Sequence, residues 1–367
     1  MKKEYSIYDN LVIYLIALII GVGIIMMYSA SSTVAFNKFN NYSFYLNRHI
    51  IRLLIGFCAL FIMYNINFKY FNLYAKELLI FSWIILFSAY FFNDGASTRR
   101  WLIIGGKNLF TTSDFAKFSL IIFTANFIEN NKKDINNLKL LIYKYAPYLL
   151  VSIGMIFFQP DLSTAFAVTI ILISMLIISG LEIKYIIVPI CISFSLIVIK
   201  VVNTPYQYQR FSNWINGIHN TQIENSMQAL GNGGFFGTGI GNSIIKDGFM
   251  PEVHTDFILP IIGEELGFIG IFLIFSLFLI LYFQGIKICK AAPSIFSSMV
   301  AFGLTINILY YFLINASYIV GILPTTGLPI PFISYGGSHT LFTLISVGLL
   351  LNISKHKGKY NYKKLLW

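Results

Sequence analysis

One aspartate is placed where it could do chemistry. Asp256 stands near the end of Met250-Pro251-Glu252-Val253-His254-Thr255-Asp256-Phe257-Ile258, at the mouth of an apolar stretch that carries Gly263-Glu264-Glu265-Leu266-Gly267. A carboxylate there can act as a general base, taking the proton of an attacking hydroxyl. It can equally be a helix N-cap, a position that aspartate fills well. Glu264 and Glu265 lie about two turns deeper along the same stretch. Ionisable groups at that depth are costly, so they are expected to pair, with an outer arginine for example, or to help hold a cation.

Three other clusters sit at the edges of apolar stretches. Gln159-Pro160-Asp161-Leu162-Ser163-Thr164 joins two of them through a short turn and leaves a carboxylate at the edge. Thr111-Thr112-Ser113-Asp114-Phe115-Ala116-Lys117 opens another, and its Asp114 and Lys117 share one helix face as an i,i+3 pair. Leu323-Pro324-Thr325-Thr326-Gly327-Leu328-Pro329-Ile330-Pro331-Phe332-Ile333-Ser334-Tyr335-Gly336-Gly337-Ser338 is irregular backbone, tolerated at membrane depth only where it is buried in protein or lines a cavity.

The elements that position these clusters are membrane spans. The chain has 367 residues, 57% hydrophobic and 11% charged, about half the charge of a soluble domain. That balance excludes a soluble enzyme, a disordered chain and a secreted disulfide scaffold. The apolar stretches are continuous, which argues against a barrel. Hydropathy places them near 11–30, 50–66, 78–92, 115–128, 146–158, 164–180, 185–202, 257–282, 298–317 and 338–353. The prediction is an all-α polytopic membrane protein of about ten transmembrane helices in a single domain, 1–367. A long extracytoplasmic loop, about 203–255, separates spans 7 and 8, and a basic cytoplasmic tail covers 354–367. Lys2 and Lys3 precede the first apolar run, which reads as a retained signal anchor.

Charge sets the orientation. The net charge of +11 is scattered over short loops and forms no basic, aromatic-interleaved patch, so nucleic acid is not an expected partner. Lysines are denser in the loops that share a side with the N-terminus, which puts both termini in the cytoplasm. All five arginines, Arg48, Arg52, Arg99, Arg100 and Arg210, fall on the other side. They suit phosphate recognition, or they pair with outer acids such as Asp94, Asp114 and Asp161. Cys58, Cys191 and Cys289 have no metal-ligand spacing and read as small buried hydrophobes. The glycine-rich run Gly231–Gly241 in the long loop permits close backbone approach to a ligand, but no strand–turn–helix context supports a nucleotide fingerprint. These features describe a polar cavity open to the outer leaflet and leave enzyme and transporter both standing.

The strings Gln159-Pro160-Asp161-Leu162, Pro251-Glu252-Val253-His254-Thr255-Asp256-Phe257, Gly263-Glu264-Glu265-Leu266-Gly267 and Pro331-Phe332-Ile333-Ser334-Tyr335-Gly336-Gly337-Ser338 closely resemble the SEDS family (shape, elongation, division and sporulation). The resemblance covers nearly the whole chain and is nearer to the division type than to the elongation type. It implies a glycosyltransferase that polymerises lipid II outside the cytoplasmic membrane, alongside a class B penicillin-binding protein transpeptidase and other divisome proteins. A lipid II flippase is the alternative from another class. The resemblance maps the family's essential aspartate onto Asp256, its loop arginine–tryptophan pair onto Arg100 and Trp101, and its helix-start acid and lysine onto Asp114 and Lys117. Asp114 replaces the family's usual glutamate, and Ser163 a usual glycine. Arg48, Arg100, Arg210 and Lys117 are then candidates for the departing pyrophosphate, with Mg²⁺ or Mn²⁺ as a further stabiliser. Trp101, Asp161, Glu264, Ser334, Gly336 and Gly337 complete the substrate-binding candidates.

Overall fold

The computed structural model describes residues 7–92, 100–104, 107–159, 161–185, 187, 195, 198, 201–217, 221–246 and 253–356. Asp94, Arg99, Pro160, Cys191, Pro251, Glu252 and the end of the basic tail lie outside them, as does most of the seventh predicted stretch. In lipid, backbone polar groups must be satisfied within the segment, so the apolar stretches fold as helices. These are α1 (Ile7–Phe39), α2 (Phe44–Asn65), the short α3 (Lys69–Leu73) and α4 (Ala75–Ser88). An antiparallel hairpin follows, β1 (Trp101–Ile104) and β2 (Lys107–Thr111), with a bulge between Leu102 and Ile103. Then come α5 (Thr112–Asn130), α6 (Leu138–Phe158) and α7 (Leu162–Ile178). The remaining helices are α8 (Pro205–Ile215), α9 (Thr221–Gly233), α10 (Ile258–Ala291), α11 (Ile295–Ile319) and α12 (Gly337–Lys355).

Among the described residues, α1, α2, α6, α10, α11 and α12 are long and apolar enough to cross a membrane. The helices α4, α5 and α7 coincide with three more of the predicted stretches. The chain is an all-α polytopic membrane protein. Its core lies among α5, α11 and α12, which are buried along most of their length. Peripheral helices turn large apolar side chains outward, such as Phe61 of α2 and Ile84 and Phe87 of α4.

Two features depart from the hydropathy reading. The connection 203–255, which reads as one long loop, contains two helices, α8 and α9. Hydropathy detects apolar runs, whereas α8 is polar and starts from a proline in its first turn, where the missing N–H has no acceptor to lose. The hairpin is equally invisible to hydropathy, because its strands are short.

The longest helix, α10, is broken at Gly267, where φ is 67° and ψ is −164°. A break in lipid frees backbone groups that need new partners. The segment after α9 supplies them. Thr238 and Gly239 donate their N–H groups to the carbonyls of Glu264 (2.9 Å) and Glu265 (3.0 Å). In return, the N–H groups of Phe268 and Ile269 reach Gly234 O (2.9 Å) and Phe235 O (3.3 Å). The glycine-rich run thus splints the kink. A Cβ on Gly267 would stand 2.4 Å from Gly237 N, and only glycine adopts its backbone angles without strain. Gly267→Ala is expected to destabilise the protein by about 3 kcal/mol or more. Gly231→Ala, where no atom lies within 4 Å, is expected to be tolerated. Thermal unfolding of the two purified variants in detergent checks the contrast.

Candidate active site

The motif segments converge at one end of the bundle, joined by a continuous set of hydrogen bonds. Asn315, fully buried in α11, donates to the main-chain carbonyls of Asp256 (2.8 Å) and Leu328 (2.7 Å). The hydroxyl of Tyr318, one turn on, donates to the same Asp256 carbonyl at 2.8 Å. Tyr335 N donates to His254 O at 2.9 Å, so the arch 323–336 is tied to the Asp256 turn directly at Tyr335 and through Asn315 at Leu328. Ser163 Oγ reaches Thr326 O (2.9 Å), Ser113 Oγ reaches Asp161 Oδ2 (2.9 Å) and Thr111 N reaches Ser338 Oγ (2.6 Å). Four stretches far apart in sequence thereby form one polar rim.

At its centre the Asp256 carboxylate is half-buried. One oxygen accepts from Thr255 Oγ1 at 2.7 Å. The other faces Gly327, where a Cβ would stand only 3.4 Å away; φ there is +69°, so glycine serves both the turn and the space beside the carboxylate. Phe332 in the same arch holds φ at 67°, an uncommon conformation for a bulky residue and one that clusters at functional sites. His254 is packed between the rings of Tyr45 (4.2 Å) and Tyr335 (5.3 Å). Burial, with the Lys38 ammonium adding to it, lowers its imidazole to about 4. It is therefore neutral at neutral pH and acts through its ring faces and its carbonyl.

This geometry can be set beside known proteins. A family model for cell cycle proteins of the FtsW, RodA and SpoVE type matches residues 9–359. The chain belongs to the FtsW/RodA/SpoVE family. The probable peptidoglycan glycosyltransferase FtsW of Trichlorobacter lovleyi is 34% identical over 364 residues, covering 96% of this chain and 95% of that protein. Stage V sporulation protein E of Bacillus subtilis is 33% identical over 356 residues, covering 95% and 97%. Among solved structures, a chain from a peptidoglycan synthase complex that coordinates polymerization and crosslinking aligns with a TM-score of 0.78 at 22% identity, over 97% of this chain and 100% of that one. The rod shape determining protein RodA of Thermus thermophilus gives 0.70 at 21% identity, over 97% and 99%. These two likenesses establish the FtsW/RodA/SpoVE fold.

The structure distributes the family's motif residues unevenly around Asp256. Ser334, Gly336 and Gly337 belong to the arch and the start of α12; Ser334 Oγ accepts from Ile330 N at 2.9 Å. Asp161 caps α7 through Thr164 N (3.3 Å) and accepts from Ser113, while Asp114 takes Lys117, so arginines occupy neither carboxylate. Lys117 is sealed inside the bundle. Its Nζ lies 3.0 Å from Asp114 Oδ1 and 3.9 Å from the centre of the Tyr311 ring, with His339 Nδ1 3.8 Å from the same carboxylate oxygen. Asp114 keeps this pair despite being shorter than glutamate, helped by a bond from Thr111 Oγ1 at 3.0 Å. Trp101 opens the hairpin opposite Thr111, and the Arg100 carbonyl receives Thr112 N at 3.2 Å. Arg210 on α8 lies within electrostatic range of the Tyr318 hydroxyl, which holds the Asp256 carbonyl. Arg48 is exposed and lies over the Phe44 ring at 4.3 Å.

Glu264 and Glu265 are fully buried, and their partners differ from those expected. Glu265 pairs with Lys246 at 2.8 Å, where an arginine or a cation was anticipated, and accepts from Ser29 of α1. Glu264 accepts from Asn232 Nδ2 (3.2 Å), Ser243 Oγ and the N–H groups of Ile244 and Ile245. Among the described residues, no three His, Cys, Asp or Glu side chains gather as metal ligands.

Asn315 and Tyr318 were missed by sequence reasoning. The available signal was a lone amide in an otherwise apolar run, Phe312-Leu313-Ile314-Asn315-Ala316, since buried polar groups are present for their bonds. Asn315→Leu takes the 2.7 Å donor from the Leu328 carbonyl and leaves the Asp256 carbonyl to Tyr318 alone, and is expected to cost about 1–3 kcal/mol. The check is a lowered unfolding midpoint in detergent.

Proposed function

We propose that the chain is a peptidoglycan glycosyltransferase that polymerises lipid II at the outer face of the cytoplasmic membrane, in the septal synthesis of dividing cells. The observation that carries the reading is the half-exposed Asp256 carboxylate, its main chain fixed by Asn315 and Tyr318 and its flank left open by Gly327. The probable FtsW glycosyltransferases among its relatives support it.

Asp256 takes the proton of the acceptor sugar's 4-hydroxyl. That oxygen forms a bond to the anomeric carbon of the donor strand, with inversion. The bond from that carbon to the phosphate oxygen breaks, and its electron pair leaves with undecaprenyl pyrophosphate. Pyrophosphate needs little protonation to depart, so a single carboxylate suffices, in contrast to the paired carboxylates of glycosidases. Arg100 and Arg210 are the cations for the departing charge; Lys117 contributes from inside the bundle by holding Asp114 and the start of α5. Both termini lie in the cytoplasm, consistent with the lysine distribution. The working partner is a class B penicillin-binding protein within the divisome, a reading supported by the fold shared with a synthase-complex chain.

Purified protein given lipid II in detergent tests this, because no leaflet remains to flip across. Glycan strands that vanish with Asp256→Asn are the expected result. No polymer from the wild type, alone or with its partner transpeptidase, would favour the flippase; polymer from the partner alone would leave this chain a scaffold.

A further inference from the structure

One cation near the site is left without a role by the reaction above. Arg52 lies two turns along α2, at a depth where a charge is costly unless something receives it. Among the described residues no carboxylate is within ion-pair distance of it. Its guanidinium sits 4.3 Å over the ring of Tyr335, a contact that only partly offsets desolvation. Its Nε is 3.4 Å from where a Cβ on Gly337 would stand, at the first residue of α12. The first-turn N–H groups of that helix have no intrahelical acceptor, and no side chain among the described residues caps it.

A second, independent observation points the same way. His49, three residues before Arg52 and so on the same face of α2, is fully buried, and neither ring nitrogen has a hydrogen-bond partner among the described residues. Its ring lies 6.2 Å from that of Tyr335, the ring Arg52 covers. A buried imidazole with both nitrogens idle holds an N–H that lacks an acceptor. Guanidinium, imidazole N–H and helix N-terminus are all donors, and a phosphate is the acceptor that suits such a set.

We propose that Arg52, His49 and the N-terminus of α12 form a phosphate-binding site that seats a phosphate group of the lipid-linked substrate. The inference rests on the glycosyltransferase reading for the identity of that lipid. It assigns Arg52 to binding, apart from the proton transfer at Asp256, with Tyr335 holding the guanidinium and Gly337 leaving it room.

The test uses the full chain in two assays. In the first, polymerisation is measured against lipid II concentration: Arg52→Gln is expected to raise KM roughly tenfold or more with kcat little changed, and Arg52→Lys to recover part of the loss. In the second, binding of undecaprenyl pyrophosphate is measured in an Asp256→Asn background, where no turnover is needed; adding Arg52→Gln or His49→Leu should weaken it by a similar factor. Unchanged binding in both variants, with unfolding midpoints preserved, would overturn the site while leaving the glycosyltransferase reading intact. Competition by phosphatidylglycerol vesicles as effective as by the pyrophosphate lipid would reassign the site to bulk headgroups and overturn its substrate role. If wild-type protein makes no polymer but the binding loss persists, the function falls and the phosphate site stands.

Discussion

Glu265→Ala is expected to destabilise the protein by about 3–5 kcal/mol. Glu265 and Lys246 are both buried, with side chains 0% and 5% exposed, and meet at 2.8 Å. Lys246 Nζ also donates to Gly241 O (2.6 Å) and Ser29 Oγ (3.1 Å), so one ammonium binds the glycine-rich segment to α1 and α10. Truncating the glutamate strands that ammonium in an apolar interior, and the penalty is its desolvation as well as the lost attraction. The splint over the Gly267 kink hangs on the same cluster, so the Thr238 and Gly239 bonds should loosen with it. The measurement is thermal unfolding in detergent, with the midpoint down by about 10 °C. The double change Lys246→Met with Glu265→Leu removes both charges at similar volume and should recover most of the loss. A Glu265→Ala protein that unfolds like the wild type would show that the pair holds nothing.

The fold was legible in proportion to how far it follows hydropathy. The helices from α1 to α12 that lie in apolar stretches could be read directly, because lipid forces such stretches to satisfy their own backbone. α8, α9 and the hairpin could not, since their residues are polar or their strands short. The motif segments could be nominated separately, yet nothing in the sequence states that Asn315 and Tyr318 both grip the carbonyl of Asp256. Pairing of charges was the least legible. Lys246 read as one more loop lysine, but it closes on Glu265 only because the glycine run folds back against the α10 kink. Arg52 read as one of five outer arginines; that no carboxylate among the described residues pairs with it emerges only once α2, the arch and α12 are assembled.

Asp256→Asn should lower the polymerisation rate by about 10²–10⁴-fold while leaving the protein folded. The asparagine side chain has nearly the same shape, and its amide oxygen can still accept from Thr255 Oγ1. The bonds from Asn315 and Tyr318 end on the main-chain carbonyl, which the substitution does not touch. What the amide cannot do is accept the hydroxyl proton as the new glycosidic bond forms. The loss should therefore fall on kcat, with KM for lipid II nearly constant, the reverse of the pattern expected for Arg52→Gln. Asp256→Glu discriminates further. It keeps the base but pushes it outward by one methylene, into the space beside Gly327, and a misplacement of about 1 Å can cost 10²-fold. Partial activity in Asp256→Glu together with near-complete loss in Asp256→Asn is the signature of a positioned base. Equal activity in all three proteins, with matched unfolding midpoints, would remove Asp256 from the chemistry and leave it as a turn residue that closes the mouth of α10.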